Sequence, residues 1–236
     1  MSASLKPAPF AAEARPPAVS FRHVENWLFD LDNTLYEADG RLMTLVESRI
    51  RDFVQQELNL EPDAAFALQK SYYREHGTTL FGLMQNHGVE PERFLTYVND
   101  VAVDSLAPNP ELCAALARLP GRRFVFTNNC GRYAERILKQ LGAGEFFEDI
   151  FDVRALRFMP KPAPAAYQTI LDRTGLAGRT TAMFDDLAVN LAPAHALGMT
   201  TILIKKSGQI SPSLSHIHHE TDHLSDFLHA IEVSAP

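Results

Sequence analysis

The stretch Phe29-Asp30-Leu31-Asp32-Asn33-Thr34 sets two carboxylates two residues apart at the end of a short β-type run, Trp27 to Leu31. A strand turns alternate side chains to one face, so this spacing brings Asp30 and Asp32 to the same side, where like charges share either a proton or a cation. A strand-end turn, where Asp and Asn are common, accounts for the same residues. Asp185-Asp186 closes another apolar run, Thr180 to Phe184, in the same manner. In an open α/β sheet the carboxyl ends of the strands face one crevice. Carboxylates from both runs converging there are too costly to leave uncompensated, and a hard divalent cation with oxygen ligands offsets them. Mg²⁺ ordinarily uses one or two carboxylates, water and a substrate phosphate, so a metal with a phosphate beside it is the expected occupant.

Two further runs end on residues suited to an anion. Phe126-Thr127-Asn128-Asn129 precedes Cys130-Gly131 and a helix, offering a hydroxyl, amides and main-chain N–H groups. A plain helix N-cap accounts for the same residues. Lys161 lies between Pro160 and Pro162 just after the run Asp149 to Val153, where a crevice-facing cation is required, although a surface lysine is the ordinary reading.

The elements that must position these groups alternate. β-type runs at 27–31, 123–127, 149–153, 180–184 and 200–204 are separated by helical stripes opening at Pro110, Tyr133, Pro164 and Ala188. Alternation implies right-handed crossovers and an α/β, doubly wound, mostly parallel sheet. Residues 37–108 break the rhythm with helical patterns only: Leu42 to Leu58, Pro62 to Tyr73, Thr79 to His87 and Pro91 to Leu106. So long an insertion with its own apolar stripes reads as a small all-helical subdomain. The expected organisation is a mobile Ala/Pro-rich arm at 1–20, a catalytic core at 21–36 and 109–236, and the helical segment at 37–108.

Composition bounds the partners. The chain has 236 residues, 46% of them hydrophobic, and a net charge of −7. With no basic cluster, nucleic acid is an unlikely partner on electrostatic grounds. No apolar run reaches the length that spans a bilayer, and the opening residues lack a signal-peptide pattern, so no membrane partner and a cytoplasmic location are expected. Cys113 and Cys130 read as reduced thiols. Residues 37–108 hold 12 acids and 6 bases, a net −6, so the acidity is mostly in the helical insertion.

Together these pieces resemble the haloacid dehalogenase (HAD) superfamily. Its first motif, hhhDxDxT, matches Leu28 to Thr34; the second matches Val125-Phe126-Thr127-Asn128; the third is Lys161; the fourth, an acidic pair, is Asp185-Asp186. The resemblance implies a HAD-like Rossmannoid core with the insertion as a cap. It further implies Asp30 as nucleophile forming an aspartyl-phosphate and Asp32 as general acid and then base. Mg²⁺ would be held by Asp30, the main-chain carbonyl of Asp32 and Asp186, with Asp185 a ligand through water or a supporting group. Thr127, the backbone at Asn128 and Lys161 would bind the phosphoryl oxygens.

Within that superfamily dehalogenases lack the second acid, so Asp32 points to phosphate esters. Asp-Leu-Asp-Asn-Thr-Leu-Tyr and the stretch Tyr73 to Leu80 look like the pyrimidine 5′-nucleotidase-like branch. That likeness implies a nucleotide substrate, pyrimidine favoured, with Arg74, His76 and Thr78 or Thr79 reaching it; a capped, solvated connector is the other reading of these residues. Tyr36 either lines the entrance or packs between core and cap, and Arg132 reads as exposed. His216, His218, His219, His223 and His229 belong to a surface around an amphipathic helix at 223–232. A monomer or homodimer is expected. The rivals are a sugar-phosphate phosphatase or phosphomutase on the same scaffold and a non-catalytic phosphate-binding or phosphoacceptor module; a receiver module would place Lys-Pro after the acidic pair, the reverse of the order here.

Overall fold

The computed structural model describes residues 19–37, 40–206, 208–209 and 213–234, without the side chains of residues 40 and 41. Most of the expected N-terminal arm, 1–18, lies outside these residues. Val19 and Ser20 do not belong to a free arm: the Glu232 N–H donates to the Val19 carbonyl at 3.0 Å, and Ser20 bridges to Glu232.

Six strands, β1 (Asn26–Phe29), β2 (Arg122–Phe126), β3 (Asp149–Phe151), β4 (Thr181–Asp185), β5 (Thr200–Ile204) and β6 (His219–Thr221), form one all-parallel sheet in the order β3-β2-β1-β4-β5-β6. The central strands are buried throughout because helices cover both faces, which is why their sequences are apolar without alternation. Trp27, Phe29 and Phe184 join one core with helices α5 (Pro110–Ala117), α6 (Gly131–Leu141) and α9 (Leu224–Ala230). Leu28, Phe126 and Met183 join the other with α7 (Pro164–Thr174) and α8 (Ala188–Ala196). Between β1 and α5 run α1 (Gly40–Leu58), α2 (Pro62–His76), α3 (Thr79–His87) and α4 (Pro91–Val98), where α1 packs on α2 and α4, and α2 on α3.

Three expectations are corrected. The last helix of the insertion stops at Val98 rather than Leu106. Beyond it Val101 and Val103 are buried at two-residue spacing, and the Arg136 guanidinium takes the carbonyls of Asn99 and Val101, which a continuing helix would need as acceptors. The sixth strand, His219–Thr221, escapes notice because an edge strand of His, Glu and Thr carries no apolar run. Finally β1 ends at Phe29, so Asp32 is not on the strand; Asn33, at φ 59°, turns the chain and Asp32 bridges to Tyr36.

Sheet order places the site. The chain winds outward from β1 to β3, then returns to lay β4 beside β1, so the switch point lies between β1 and β4. Phe29 pairs with Phe184, and the Asp30 N–H donates to the Phe184 carbonyl at 2.9 Å. One residue further on, Asp30 and Asp185 stand side by side above that crevice.

Candidate active site

Asp30, Asp185 and Asp186 bring carboxylate oxygens within 4.8 Å of one another, the grouping among the described residues that could hold a metal ion. Lys161 reaches them from the loop after β3. Its Nζ donates to Asp30 Oδ1 at 2.8 Å and to Asp185 Oδ2 at 2.7 Å, over the Phe126 ring at 4.8 Å. Lys161 is 1% exposed and Asp185 0%, so both charges are out of water. Burial alone would depress the Lys161 ammonium, but Asp185 and Asp30 together outweigh it and hold it above its ordinary value. The carboxyls pay for this crowding. Burial, and then the other acids, push Asp30 well up against the pull of Lys161, while burial and Asp185 push Asp186 up to about 6.

Asp185 accepts from Lys161 Nζ, from Asn190 Nδ2 at 2.9 Å and from the Leu187 N–H at 2.9 Å, which occupies most of its lone pairs. Asp186 has a hydrogen bond from the Asn33 side chain and stays partly open. Three facing carboxylates against one ammonium form a hard-oxygen, net-negative donor set. Such a set fits a divalent cation of the Mg²⁺ kind.

Asp32 stands apart. Instead of joining the cluster, its Oδ1 accepts from the Tyr36 hydroxyl at 2.5 Å and from the Tyr133 hydroxyl at 3.4 Å, and Asn129 Nδ2 lies 3.5 Å from Oδ2. The expectation of four convergent carboxylates is thus corrected to three, since the chain turns away from the strand before Asp32. Burial raises its carboxyl, opposed by hydrogen bonds from Tyr36, Asn129 and Tyr133.

The loop after β2 completes the floor. Thr127 is buried, its Oγ1 accepting from the Asn129 N–H at 3.0 Å. Asn128 uses its side chain on the Lys161 backbone, with Nδ2 donating to the Lys161 carbonyl at 3.1 Å and Oδ1 accepting from its N–H at 2.7 Å. This brace holds the lysine loop, so any contact of Asn128 with a ligand falls to its main chain, as the motif reading has it.

Above the floor lies the turn from α2 to α3. Gly77, at φ 79°, is so close to the lysine loop that a Cβ there would lie 3.0 Å from the Lys161 carbonyl oxygen. This contact sets the last turn of α2 over the site. Arg74 is exposed and makes no ion pair among the described residues. His76 and Thr78 already have partners in the helical segment. His76 packs against the rings of Tyr72 and Phe81 and bonds Asn86 at 3.3 Å, and Thr78 caps α3 by accepting from the Phe81 N–H at 3.1 Å. The Thr79 hydroxyl donates to the Gln69 carbonyl at 3.1 Å. Arg132 is exposed. Of the tail histidines, His218, His223 and His229 are exposed, and His216 and His219 half-buried.

Sequence reasoning missed Tyr73, Asn129, Tyr133 and Asn190. Tyr73 is 48% exposed, and burial together with the charges of Asp186, Asp185 and Asp30 pushes its phenol up. Tyr133 did carry a signal: it is the one hydroxyl in an α6 stripe otherwise made of Ala134, Ile137, Leu138 and Leu141.

An all-parallel Rossmann-type sheet with a carboxylate–lysine cluster at its switch point defines an α/β protein built to handle an anionic group. The chain belongs to the haloacid dehalogenase-like hydrolases, whose family model matches residues 27–198. It is 29% identical over 193 residues to phosphate metabolism protein 8 of Saccharomyces cerevisiae, covering 75% of this chain and 60% of that protein. It is 33% identical over 85 residues to phosphatase MT3486 of Mycobacterium tuberculosis, covering 36% of this chain and 39% of that one. The chain therefore spans 60% and 39% of the lengths of these relatives, less than two thirds of either. Among solved structures, CbbY from Rhodobacter sphaeroides in complex with phosphate superposes with a TM-score of 0.63 at 16% identity over 86% of this chain and 96% of that one. The HAD-hydrolase YfnB from Bacillus subtilis bound to magnesium gives 0.57 at 14% identity over 87% and 97%. At these identities the likeness is one of fold. The family match makes this chain a haloacid dehalogenase-like hydrolase, and one of its relatives is itself named a phosphatase. No described helix is long and apolar enough to cross a membrane.

Proposed function

We propose that this protein is a Mg²⁺-dependent phosphomonoesterase that works through an aspartyl-phosphate on Asp30 and acts on nucleoside 5′-monophosphates, pyrimidines above purines. One observation carries the reading: Lys161 Nζ bridges Asp30 and Asp185 at 2.8 and 2.7 Å, while Asp32 is held away from that cluster. Asp30, Asp186 and the Asp32 main-chain carbonyl would hold Mg²⁺, which when bound neutralises the facing acids and stabilises charge on the phosphoryl oxygens. The magnesium and phosphate named with the two solved relatives support this pairing of ligands.

Asp30 Oδ attacks phosphorus as the ester P–O bond breaks, and Asp32 gives its proton to the departing alkoxide. Asp32, now a carboxylate, takes a proton from water as that water displaces Asp30 from phosphorus. Lys161, the Thr127 hydroxyl and the Asn128 backbone hold the equatorial oxygens, and Asp185 fixes the lysine. Residues 40–98 act as a cap on a core formed by the rest. Their specificity elements are the exposed Tyr73 ring, which offers a face for a base, and Arg74, which offers a cation; His76 and Thr78 shape the turn that presents them.

A panel of phosphate esters, with and without EDTA, tests the reading. The expected result is Mg²⁺-dependent release of inorganic phosphate, without any bisphosphate activator, fastest from pyrimidine nucleoside 5′-monophosphates and abolished by Asp30→Asn with the fold retained. A flat or sugar-preferring profile overturns the nucleotidase assignment, and turnover by Asp30→Asn removes Asp30 as nucleophile.

A further inference from the structure

We propose that Tyr36 and Tyr133 are positioning residues that clamp Oδ1 of Asp32 through a two-phenol network, with Tyr36 the direct donor and Tyr133 packed against both, so that the proton Asp32 transfers is carried on Oδ2. The proposal rests on the phosphatase reading above and adds to it a pair of residues and the identity of the working oxygen.

Tyr36 comes from the turn after β1 and Tyr133 from the first turn of α6, and the two hydroxyls meet 3.0 Å apart directly against Asp32. Tyr36 donates to Asp32 Oδ1 at 2.5 Å, and the single hydroxyl hydrogen of Tyr133 goes either to that same oxygen at 3.4 Å or to the Tyr36 oxygen at 3.0 Å. Tyr36 is 6% exposed and Tyr133 1%. Packing alone would be met by phenylalanine, because a buried hydroxyl costs free energy unless it is bonded. The described partners of these hydroxyls are Asp32 and each other. An oxygen already accepting from a phenol is a poor place for a proton.

The other oxygen, Oδ2, faces Asn129, whose N–H is bonded to Thr127 in the loop that forms the floor. Among the described residues Oδ2 has only that long 3.5 Å contact, so it is the oxygen left to carry a transferable proton. In the first half-reaction the proton leaves Oδ2 for the ester oxygen as its bond to phosphorus breaks and the Asp30–phosphorus bond forms. In the second, Oδ2 takes a proton from water as the water–phosphorus bond forms and the Asp30–phosphorus bond breaks. The tyrosine protons do not move in either half.

The test compares kcat/KM for an alkyl ester, glycerol 3-phosphate, with that for 4-nitrophenyl phosphate in the native protein, Tyr36→Phe, Tyr133→Phe, the double variant and Asp32→Asn. This constant ends at departure of the leaving group, and only the alkyl oxygen needs a proton to depart. For Tyr36→Phe the alkyl ester should lose about 100-fold, the lower end of what a positioned acid contributes, with the aryl ester changed little. Tyr133→Phe should show the same selectivity to a smaller extent, given its longer contact. The double variant should lose less than the product of the two, because the phenols share one network. Asp32→Asn should give the same alkyl-selective pattern, larger.

Equal losses on both esters, no loss on either, or unfolding of both single variants would overturn the clamp. An inactive native protein overturns the phosphatase reading itself, and the clamp with it. If Tyr133→Phe alone unfolds, Tyr36→Phe decides the question.

Discussion

Replacing Lys161 by Met removes the ammonium that compensates the acid cluster while keeping most of its aliphatic volume. In the native protein that ammonium is 1% exposed and bonded to Asp30 at 2.8 Å and Asp185 at 2.7 Å. Its loss takes the facing groups from three carboxylates against one cation to three against none. Stranding a buried charge costs about 3–5 kcal/mol, and here the lower end applies because Asp30 and Asp186 already tend to take up protons. About 3 kcal/mol corresponds to a fall in Tm of roughly 6–12 °C for a chain of this size. Adding Asp30→Asn to Lys161→Met removes one stranded charge, so the double variant should melt above the single one. The assay is thermal unfolding by circular dichroism near neutral pH in EDTA and again in millimolar Mg²⁺. Mg²⁺ should recover more of the loss in Lys161→Met than in the double variant, which has lost a proposed ligand. The reasoning fails if Lys161→Met melts with the native protein, or if Asp30→Asn lowers Tm further on top of it.

Two other outcomes follow from the site. The Asp186 carboxyl is raised from 3.8 to about 6 without a metal, so its contribution to stability is full below about pH 4 and is lost as pH rises through about 6, a swing of about 3 kcal/mol at most. In EDTA, Tm should therefore fall across that window, and Mg²⁺ should raise Tm more at neutral pH than at acid pH; an equal Mg²⁺ effect at both would contradict the assignment. Gly77→Ala puts a Cβ against the Lys161 carbonyl at a positive φ, for about 1–2 kcal/mol of strain, and should raise KM more than it lowers kcat as the α2–α3 turn lifts off the lysine loop. Unchanged KM and Tm would show that the turn does not dock there when substrate is bound.

The sheet was legible because its strands are buried on both faces and read as apolar runs, each followed by a helix stripe. Once the elements alternate, handedness and the switch-point rule bring Asp30, Asp185 and Asp186 to one crevice with no further information. What stayed hidden depends on contacts between side chains distant in sequence. The end of α4 is set partly by Arg136, from a helix almost forty positions later, and β6 by pairing with Ile202, Leu203 and Ile204 rather than by its own residues. The period-two reading of Asp30 and Asp32 failed for a local reason. The strand stops at Phe29 and the chain bends at Leu31, before Asp32 is reached.

That failure matters chemically. Had Asp32 stayed on the strand, it would have faced the same cluster as Asp30, and a cation strong enough to hold three carboxylates would have stripped its proton as well. Turned away, it is half-buried among the hydroxyls of Tyr36 and Tyr133 and the amide of Asn129, with desolvation raising its carboxyl. In the proposed mechanism a cation would act directly on the carboxylates of Asp30 and Asp186, whereas the Asp32 side chain is outside that cluster. Under the proposed mechanism two aspartates separated by one leucine would take opposite states at one pH, the nucleophile ionised and the acid protonated, which is the division a phosphoester hydrolase needs. The end of β1 at Phe29 and the bend at Leu31, more than the motif spacing, produce that separation.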